Sequence, residues 1–210
     1  MKNSLAIFGC SGHGKVIADI SEKNGFEPVF FDDKFTEIAK SGKWKIIGNF
    51  QDLVLSIKKY TNVFVGIGDN HLRAEKQLEL EHYGFKFPVL IDPSAQISGY
   101  STIQNGTVVM PNSVVNIHST IGKGAIINSG SIIEHDCKID DFSHISPNAT
   151  LAGNVHIKEK TWIGAGTTIK QKITVGKNSI IGAGSIVLED LPNNVLAYGV
   201  PAKTIKNVKY

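Results

Sequence analysis

An aliphatic residue occupies every sixth position from residue 97 to residue 187 without interruption. The series is Ile97, Ile103, Val109, Val115, Ile121, Ile127, Ile133, Ile139, Ile145, Leu151, Ile157, Ile163, Ile169, Val175, Ile181 and Val187. The residue two positions earlier is usually small, as at Ser113 and Ala125. A period of six is neither the period of a helix nor the alternation of a simple strand. The segment is therefore a structural repeat.

The repeat predicts a solenoid in which each six-residue unit is one short strand and one corner, and three units close a triangular coil. The interior of so narrow a coil accommodates one aliphatic and one small side chain on each face. Stacked coils lie about 4.8 Å apart, so that backbone groups pair between neighbouring coils. The sequence therefore predicts a parallel β-helix of about five coils.

Composition excludes several classes of partner. The net charge is +3, and the acidic and basic residues are interspersed, so there is no basic stripe for nucleic acid. Cys10 and Cys137 lie in different segments without metal or redox spacing, which suits a reducing cytoplasm. No apolar run reaches the length of a membrane span. We therefore expect a cytoplasmic protein that binds neither nucleic acid nor membranes.

Residues 1–92 predict a separate domain that precedes the solenoid domain of residues 93–210. Short apolar runs alternate there with helical patterns, which indicates a parallel, Rossmann-like α/β sheet. The predicted strands are Leu5 to Phe8, Pro28 to Phe31, Val63 to Ile67 and Val89 to Ile91, and the predicted helices follow Gly14 or cover residues 51–60 and 70–83. Ligands of such sheets bind beyond the carboxyl ends of the strands.

The first of these ends is the turn 9–15, Gly-Cys-Ser-Gly-His-Gly-Lys. Its spacing fits a phosphate loop, but Val16 stands where the Mg²⁺-binding Ser or Thr is needed, which argues against an ATPase. The glycines also depart from the dinucleotide-binding fingerprint. A backbone cradle for a diphosphate at the start of a helix remains the favoured interpretation, and a tight turn without a ligand is the alternative.

Four segments occur together and in order: residues 9–15, the strand end Phe31-Asp32-Asp33, residues 66–70 and Ile133-Glu134-His135-Asp136. With them, the chain resembles the NeuD/PglD-type bacterial sugar acetyltransferases of the hexapeptide-repeat acyltransferase superfamily, above all the UDP-4-amino-sugar N-acetyltransferases. The resemblance implies a left-handed β-helix, although the general crossover rule favours the right-handed sense. It also implies acetyl-CoA as co-substrate, bound by the solenoid, a nucleotide sugar bound by the first domain, and a homotrimer.

The resemblance further implies roles for individual residues. His135 is the general base, Asp136 orients it, Asn128 approaches the reacting amine, and His144 approaches the acetyl-CoA carbonyl. The residues expected to contact the nucleotide sugar are Ser11, Gly12, His13, Asp32, Asp33 and Gly68. We expect the pantetheine of acetyl-CoA to run along backbone at Gly153, Ala165 and Ala183.

The repeat itself gives an independent argument for the base. His135 follows the inward-facing Ile133 by two positions, at a corner where a side chain leaves the coil, and Asp136 is positioned to hold its imidazole tautomer. One coil later Gly153 stacks on His135, so its N–H is open to polarise a thioester carbonyl. His144 lies half a coil away from His135, so the two can share a site only between subunits.

The predicted reaction is direct acetyl transfer from acetyl-CoA to the 4-amino group of a UDP-linked amino-deoxysugar of the bacillosamine type. Close alternatives are O-acetylation of sialic acid and N-acetylation of GDP-perosamine. A more distant alternative is a scaffold that senses a nucleotide sugar without catalysis. Zinc chemistry of the carbonic anhydrase type is disfavoured, because His118, His135 and His144 do not repeat at one-coil spacing, and we expect no metal.

Overall fold

The structure is a computed structural model that describes residues 3–209, and the chain divides into two compact units, Met1–Ile91 and Asp92–Tyr210. The first unit has the element order β1 (Asn3–Phe8), α1 (Gly12–Lys23), β2 (Phe26–Phe31), β3 (Lys40–Ser41), β4 (Trp44–Lys45), α2 (Phe50–Leu55), β5 (Asn62–Val65), α3 (Asn70–His82) and β6 (Leu90–Ile91). Strands β2, β1 and β5 form a parallel sheet in that order. The predicted α/β fold of this part is therefore confirmed.

The core of the first unit forms on this sheet. Leu5 and Ile7 of β1 and Phe30 of β2 are completely buried, as is Ile17 of α1. Each of the parallel strands is followed by a helix or a turn that returns the chain across a face of the sheet, as α/β connectivity requires. As a result, the residues that follow β1, β2 and β5 come together at the carboxyl edge of the sheet.

Three local features differ from the expectations for this unit. A helix was expected over residues 51–60, but helix α2 ends at Leu55 and the chain then forms tight turns up to Tyr60. The Tyr60 ring packs edge-on against Phe31 with a centroid distance of 5.6 Å. The hairpin of β3 and β4 was not predicted. The fourth strand, Leu90–Ile91, is not part of the three-stranded parallel sheet.

The second unit is a parallel β-solenoid built from two-residue strands. These strands are β7 (Gln96–Ile97), β8 (Thr102–Ile103), β9 (Val108–Val109), β10 (Val114–Val115), β11 (Thr120–Ile121), β12 (Ile126–Ile127), β13 (Ile132–Ile133), β14 (Lys138–Ile139), β15 (His144–Ile145), β16 (Thr150–Leu151), β17 (His156–Ile157), β18 (Trp162–Ile163), β19 (Thr168–Ile169), β20 (Thr174–Val175), β21 (Ile180–Ile181) and β22 (Ile186–Val187). They are followed by an antiparallel pair, β23 (Val195–Gly199) and β24 (Ala202–Asn207).

The strands stack into three parallel ladders, one on each face of the solenoid. The first ladder contains β7, β10, β13, β16, β19 and β22, the second contains β8, β11, β14, β17 and β20, and the third contains β9, β12, β15, β18, β21 and then β23. Ile121 pairs with Ile139, and every other rung among β7 to β22 likewise joins residues one coil apart. The predicted register is therefore confirmed.

The aliphatic series forms the core of the solenoid. From Val109 to Val187 every member is at most 1% exposed. The small residues two positions earlier are also buried, and their hydroxyl groups bond to corner carbonyls, as Ser119 Oγ does to the Glu134 carbonyl at 2.6 Å. Burying a large aliphatic side chain contributes about 1.5–3 kcal/mol. The ladder therefore holds the corners, and with them the side chains that project from the corners.

The corners themselves use left-handed backbone at regular intervals of six residues. Residues with positive φ there include Asn112, His118, Asp136, Asn148 and Asn154. Asn and Asp tolerate this conformation better than most residues other than Gly. The corner that contains Asp136 carries the candidate catalytic histidine next to it.

Candidate active site

The turn between β1 and α1 is packed backbone to backbone against the end of β5. Gly9 has a φ of 100°, and a β-carbon on Gly66 would lie 2.7 Å from the Gly9 carbonyl oxygen and 2.8 Å from the Gly14 Cα. Helix α1 begins at Gly12 after Ser11, whose side chain forms no cap. Ser11 and Gly12 are exposed. The helix N-terminus therefore presents uncapped N–H groups, which favour an anion.

His13 lies at this helix start in an unusual environment. Its Nε2 atom is buried, and no hydrogen-bond partner for it occurs within residues 3–209. Burial, and then the charge of Arg73, lower the pKa of His13 from 6.5 to about 4. The imidazole is therefore neutral at physiological pH. Its buried Nε2 has lost hydration, and a hydrogen bond with a ligand would offset that cost.

The side chains of the two aspartates that follow β2 accept hydrogen bonds from backbone N–H groups. Asp32 Oδ2 accepts from the Cys10 N–H at 2.9 Å and Oδ1 from the Lys34 N–H at 3.0 Å. Burial alone would raise the pKa of Asp32, but these backbone donors outweigh it and the pKa is lowered. Asp33 Oδ1 accepts from the Phe50 N–H at 3.1 Å. Asp32 therefore ties β2 to the first turn, and Asp33 ties it to the start of α2.

The turn from β5 to α3 carries Gly68 and is held by a residue that sequence reasoning missed. Arg73 is only 1% exposed, and its guanidinium donates to the carbonyls of Ile67 and Gly68 at 3.2 and 2.9 Å. The surrounding helix is highly charged, which suggested a solvated surface. The signal that was available is the position of Arg73 one helical turn after the strand-end motif.

On the solenoid, His135 and Asp136 are joined and exposed. His135 Nδ1 lies 2.8 Å from Asp136 Oδ2, and the two side chains are 58% and 54% exposed. Because a carboxylate accepts, Nδ1 carries the ring proton of the neutral imidazole and Nε2 has a free lone pair. This is the tautomer that a general base requires, with its basic nitrogen directed away from the carboxylate.

Gly153 lies against this imidazole, as the one-coil spacing predicted. A β-carbon on Gly153 would be 2.6 Å from Cε1 and Nε2 of His135. The Gly153 carbonyl accepts from the Lys172 N–H at 3.0 Å, whereas the hydrogen bonds within residues 3–209 leave its own N–H without an acceptor. The corner therefore presents a basic nitrogen and a backbone donor side by side.

A second cluster forms on the third ladder around His144. Asn128 Oδ1 accepts from the Ser129 N–H at 2.8 Å, which directs Asn128 Nδ2 to His144 Nε2 at 3.1 Å. The Trp162 indole stacks on the His144 ring with a centroid distance of 5.3 Å and an interplanar angle of 10°, and its Nε1 donates to Ser146 Oγ at 2.7 Å. His144 is 8% exposed. The cluster fixes the plane of the His144 ring.

Ala165 and Ala183 are exposed and lie one coil apart, at the corner that follows the third ladder. His135 and Gly153 lie at the corner that follows the first ladder. Within one chain the predicted acetyl-CoA contacts are therefore split between two corners. His135, Asp136 and Gly153 come together, as do Asn128 and His144, but the two groups do not meet on one solenoid.

Cys137 is a buried thiol and therefore a poor nucleophile. Cys137 is 1% exposed, and burial raises the pKa of its thiol to about 11. Across residues 3–209 no group of three or more His, Cys, Asp and Glu side chains is arranged to hold a metal ion. In the same range no helix has the length and apolar character that crossing a bilayer requires.

Comparisons with known proteins match both units. Residues 4–80 match the PglD N-terminal domain, and residues 118–153 and 154–189 match the bacterial transferase hexapeptide model of six repeats. A Bacillus subtilis UDP-N-acetylbacillosamine N-acetyltransferase is 34% identical over 117 residues, which are 52% of this chain and 52% of that protein. The match thus spans about half the length of this curated relative.

Solved structures match over nearly the whole chain. A mutant of perosamine N-acetyltransferase from Caulobacter crescentus, in complex with CoA and GDP-perosamine, is 32% identical with a TM-score of 0.93, and the match covers 97% of each chain. The acetyltransferase domain of PglB from Neisseria gonorrhoeae is 36% identical with a TM-score of 0.92, over 97% of this chain and 100% of that one. A further structure of the PglB domain, 35% identical, contains acetyl coenzyme A.

The hexapeptide ladders and the α/β unit before them define a left-handed β-helix protein of the hexapeptide-repeat acyltransferase class. Within this class, the chain belongs to the NeuD/PglD-type family of bacterial sugar acetyltransferases, which use acetyl-CoA as co-substrate.

Proposed function

We propose that the protein transfers acetyl from acetyl-CoA to the 4-amino group of a UDP-linked amino-deoxysugar, with His135 as general base. The observation that carries this proposal is the corner at which His135 is bonded to Asp136 and faces the open backbone of Gly153. A sensor without catalysis would have no need for an exposed imidazole in the basic tautomer beside an N–H donor. The curated Bacillus subtilis relative is named for a UDP-linked substrate.

The chemistry is a single displacement at the thioester carbon. His135 Nε2 removes a proton from the sugar amine, whose nitrogen lone pair attacks the acetyl carbon. The C–N bond forms, and the developing oxyanion accepts a hydrogen bond from the Gly153 N–H. The C–S bond then breaks, and the leaving CoA thiolate takes the proton that His135 removed from the amine. Asp136 stabilises the imidazolium that forms. The buried thiol of Cys137 argues against an acyl-enzyme.

The first unit is proposed to hold the nucleotide sugar. The uncapped start of α1 at Ser11 and Gly12 favours the diphosphate, and the buried Nε2 of His13 favours a polar contact to the same ligand. Asp32 and Asp33 are proposed to contact the uridine through the carboxylate lone pairs that their hydrogen bonds to backbone N–H groups leave free. Gly68 is proposed to approach the ligand with its backbone.

The separation of His135 from His144 on one solenoid supports a site between subunits of a homotrimer. In this arrangement the His135 corner of one copy faces the His144 cluster of the next, and acetyl-CoA also contacts Ala165 and Ala183. Two inactive variants, His135→Ala and His144→Ala, test this by mixing after mild dissociation. Sites between copies predict recovery toward about a quarter of the wild-type activity, whereas a site within one chain predicts none.

The acceptor is tested with purified protein, acetyl-CoA and a panel of UDP-4-amino sugar, GDP-4-amino sugar and sialic acid, with CoA release followed by a thiol reagent. We expect release with the UDP-4-amino sugar. Release with the GDP-linked sugar alone would favour the second candidate, a perosamine-type N-acetyltransferase, which the 32% identical Caulobacter structure supports. If none of the acceptors causes CoA release, the proposal that the protein is an enzyme is overturned.

A further inference from the structure

Arg73 is the only arginine in a chain with 22 lysine and arginine residues, and it is among the most deeply buried side chains. Removing a guanidinium from water costs free energy unless hydrogen bonds and nearby charges compensate. Lysine, with which the chain is rich, is not used at this position. The contacts of Arg73 therefore indicate what the buried cation does.

The guanidinium holds the turn between β5 and α3 from beneath. Nη1 donates to the carbonyls of Ile67 and Gly68, and Nη2 donates to Asn70 Oδ1 at 2.8 Å. Asn70 is itself buried, with 4% exposure. A planar guanidinium reaches three acceptors at once in a fixed geometry, which a lysine ammonium on a flexible stem does not. The conformation of Gly68 therefore depends on Arg73.

The charge of Arg73 also reaches the neighbouring turn. Burial is the largest cause that lowers the pKa of His13, at the start of α1, and the charge of Arg73 is the second. The two turns are in backbone contact, because Gly66 packs on Gly9 and Gly14. The positive potential therefore extends over the edge of the sheet to which the diphosphate is assigned.

We propose that Arg73 is the positioning residue of the nucleotide-sugar site: it fixes the turn that carries Gly68 and places a positive charge beneath the diphosphate. This inference rests on the proposed function of the first unit. A charge in a buried setting attracts an anion more strongly than one in water, and it needs no reorganisation when the ligand arrives. Arg73 acts through the turn and its field, without touching the ligand.

The test compares ligands that differ only in phosphate. Calorimetry measures binding of uridine and of UDP, or of guanosine and GDP if the wild type prefers them. Arg73→Gln removes the charge and keeps an amide donor. We expect it to weaken binding of the diphosphate about tenfold more than binding of the nucleoside, because loss of the fork affects both ligands and loss of the charge affects only the diphosphate. The ratio of the two affinities in one sample is independent of the folded fraction.

Two further variants separate charge from geometry. Arg73→Lys keeps the charge but not the forked geometry of the guanidinium. Binding of the nucleoside and of the diphosphate should therefore weaken by the same factor, and the ratio of the two affinities should stay that of the wild type. Lys86→Gln removes an exposed charge next to the opposite end of β5, where Lys86 bridges Asn62, and should change neither affinity. Equal loss of both ligands in Arg73→Gln, or a reduced ratio in Arg73→Lys, would contradict the proposal.

A measurement on the wild type covers the case in which the variants do not fold. Because Arg73 is the only arginine, its Nε–H gives a single arginine side-chain resonance in a ¹⁵N-labelled sample. UDP should shift this resonance and uridine should leave it nearly unchanged. An unshifted resonance in the presence of bound UDP would overturn the role of Arg73. If the wild type binds none of these nucleosides and nucleotides, the proposed function of the first unit fails, and this inference fails with it.

Discussion

Gly153 faces the imidazole of His135 so closely that a β-carbon on Gly153 would lie 2.6 Å from both Cε1 and Nε2 of the ring. The backbone of Gly153 does not have a positive φ, so glycine is not needed there for its conformation. The space it leaves is occupied by the ring. The one-coil register of the solenoid thus determines which residue borders the proposed base.

Gly153→Ala should therefore displace the imidazole without straining the backbone. We expect kcat to fall by about a hundredfold or more, because a misplaced base loses much of its contribution. The melting temperature should change little. Gly99→Ala is the matched control, since nothing lies within 4 Å of its added methyl group and its φ is not positive. Activity in Gly153→Ala close to that of Gly99→Ala would contradict the placement of the site.

Asp136→Asn removes the charge of Asp136 and keeps a residue that suits the left-handed backbone of this corner. Asp136 has a φ of 60°, a conformation that Asn tolerates well. The solenoid should therefore remain intact while the carboxylate that holds His135 Nδ1 is lost. We expect kcat to fall about ten- to a thousandfold with the KM for acetyl-CoA nearly unchanged. A change in KM alone would show that Asp136 serves binding and not the base.

Cys137→Ser tests direct attack. Ser stands at the equivalent inward positions Ser119 and Ser131, so the substitution suits the repeat, and its hydroxyl can donate to the Ala152 carbonyl as the thiol does at 3.2 Å. We expect turnover within about twofold of the wild type. Loss of activity in a variant that melts normally would point instead to a covalent step through sulfur.

His13 should make stability depend on pH. Its pKa is 6.5 when unfolded and about 4 when folded, so between these values the unfolded chain binds more protons and stability falls as pH falls. From pH 7 to pH 5 the contribution of this group is a loss of about 2 kcal/mol. Urea unfolding monitored by Trp44, in a Trp162→Phe background, measures it. His13→Gln should remove this loss, whereas His82→Gln, at an exposed position, should retain it.

The solenoid could be predicted from sequence because an inward side chain must recur on every face and stack once per coil, as Ile133 and Leu151 do. The neighbours of His135 followed from the same register. The left-handed corners at Phe142 and Lys160 could not be predicted, because solenoid closure imposes a conformation that these residues avoid locally. Arg73 was missed because its burial depends on how α3 packs against the sheet, although its acceptors Ile67 and Gly68 lie in the adjoining turn.

The most direct test of the account is the rate of CoA release with a UDP-4-amino sugar in His135→Ala relative to the wild type. The exposed position of His135 predicts that the variant keeps its fold and its melting temperature. We expect the rate to fall by at least about a thousandfold, with binding of acetyl-CoA retained. A folded His135→Ala protein that retains more than about a tenth of the wild-type rate would show that His135 is not the base.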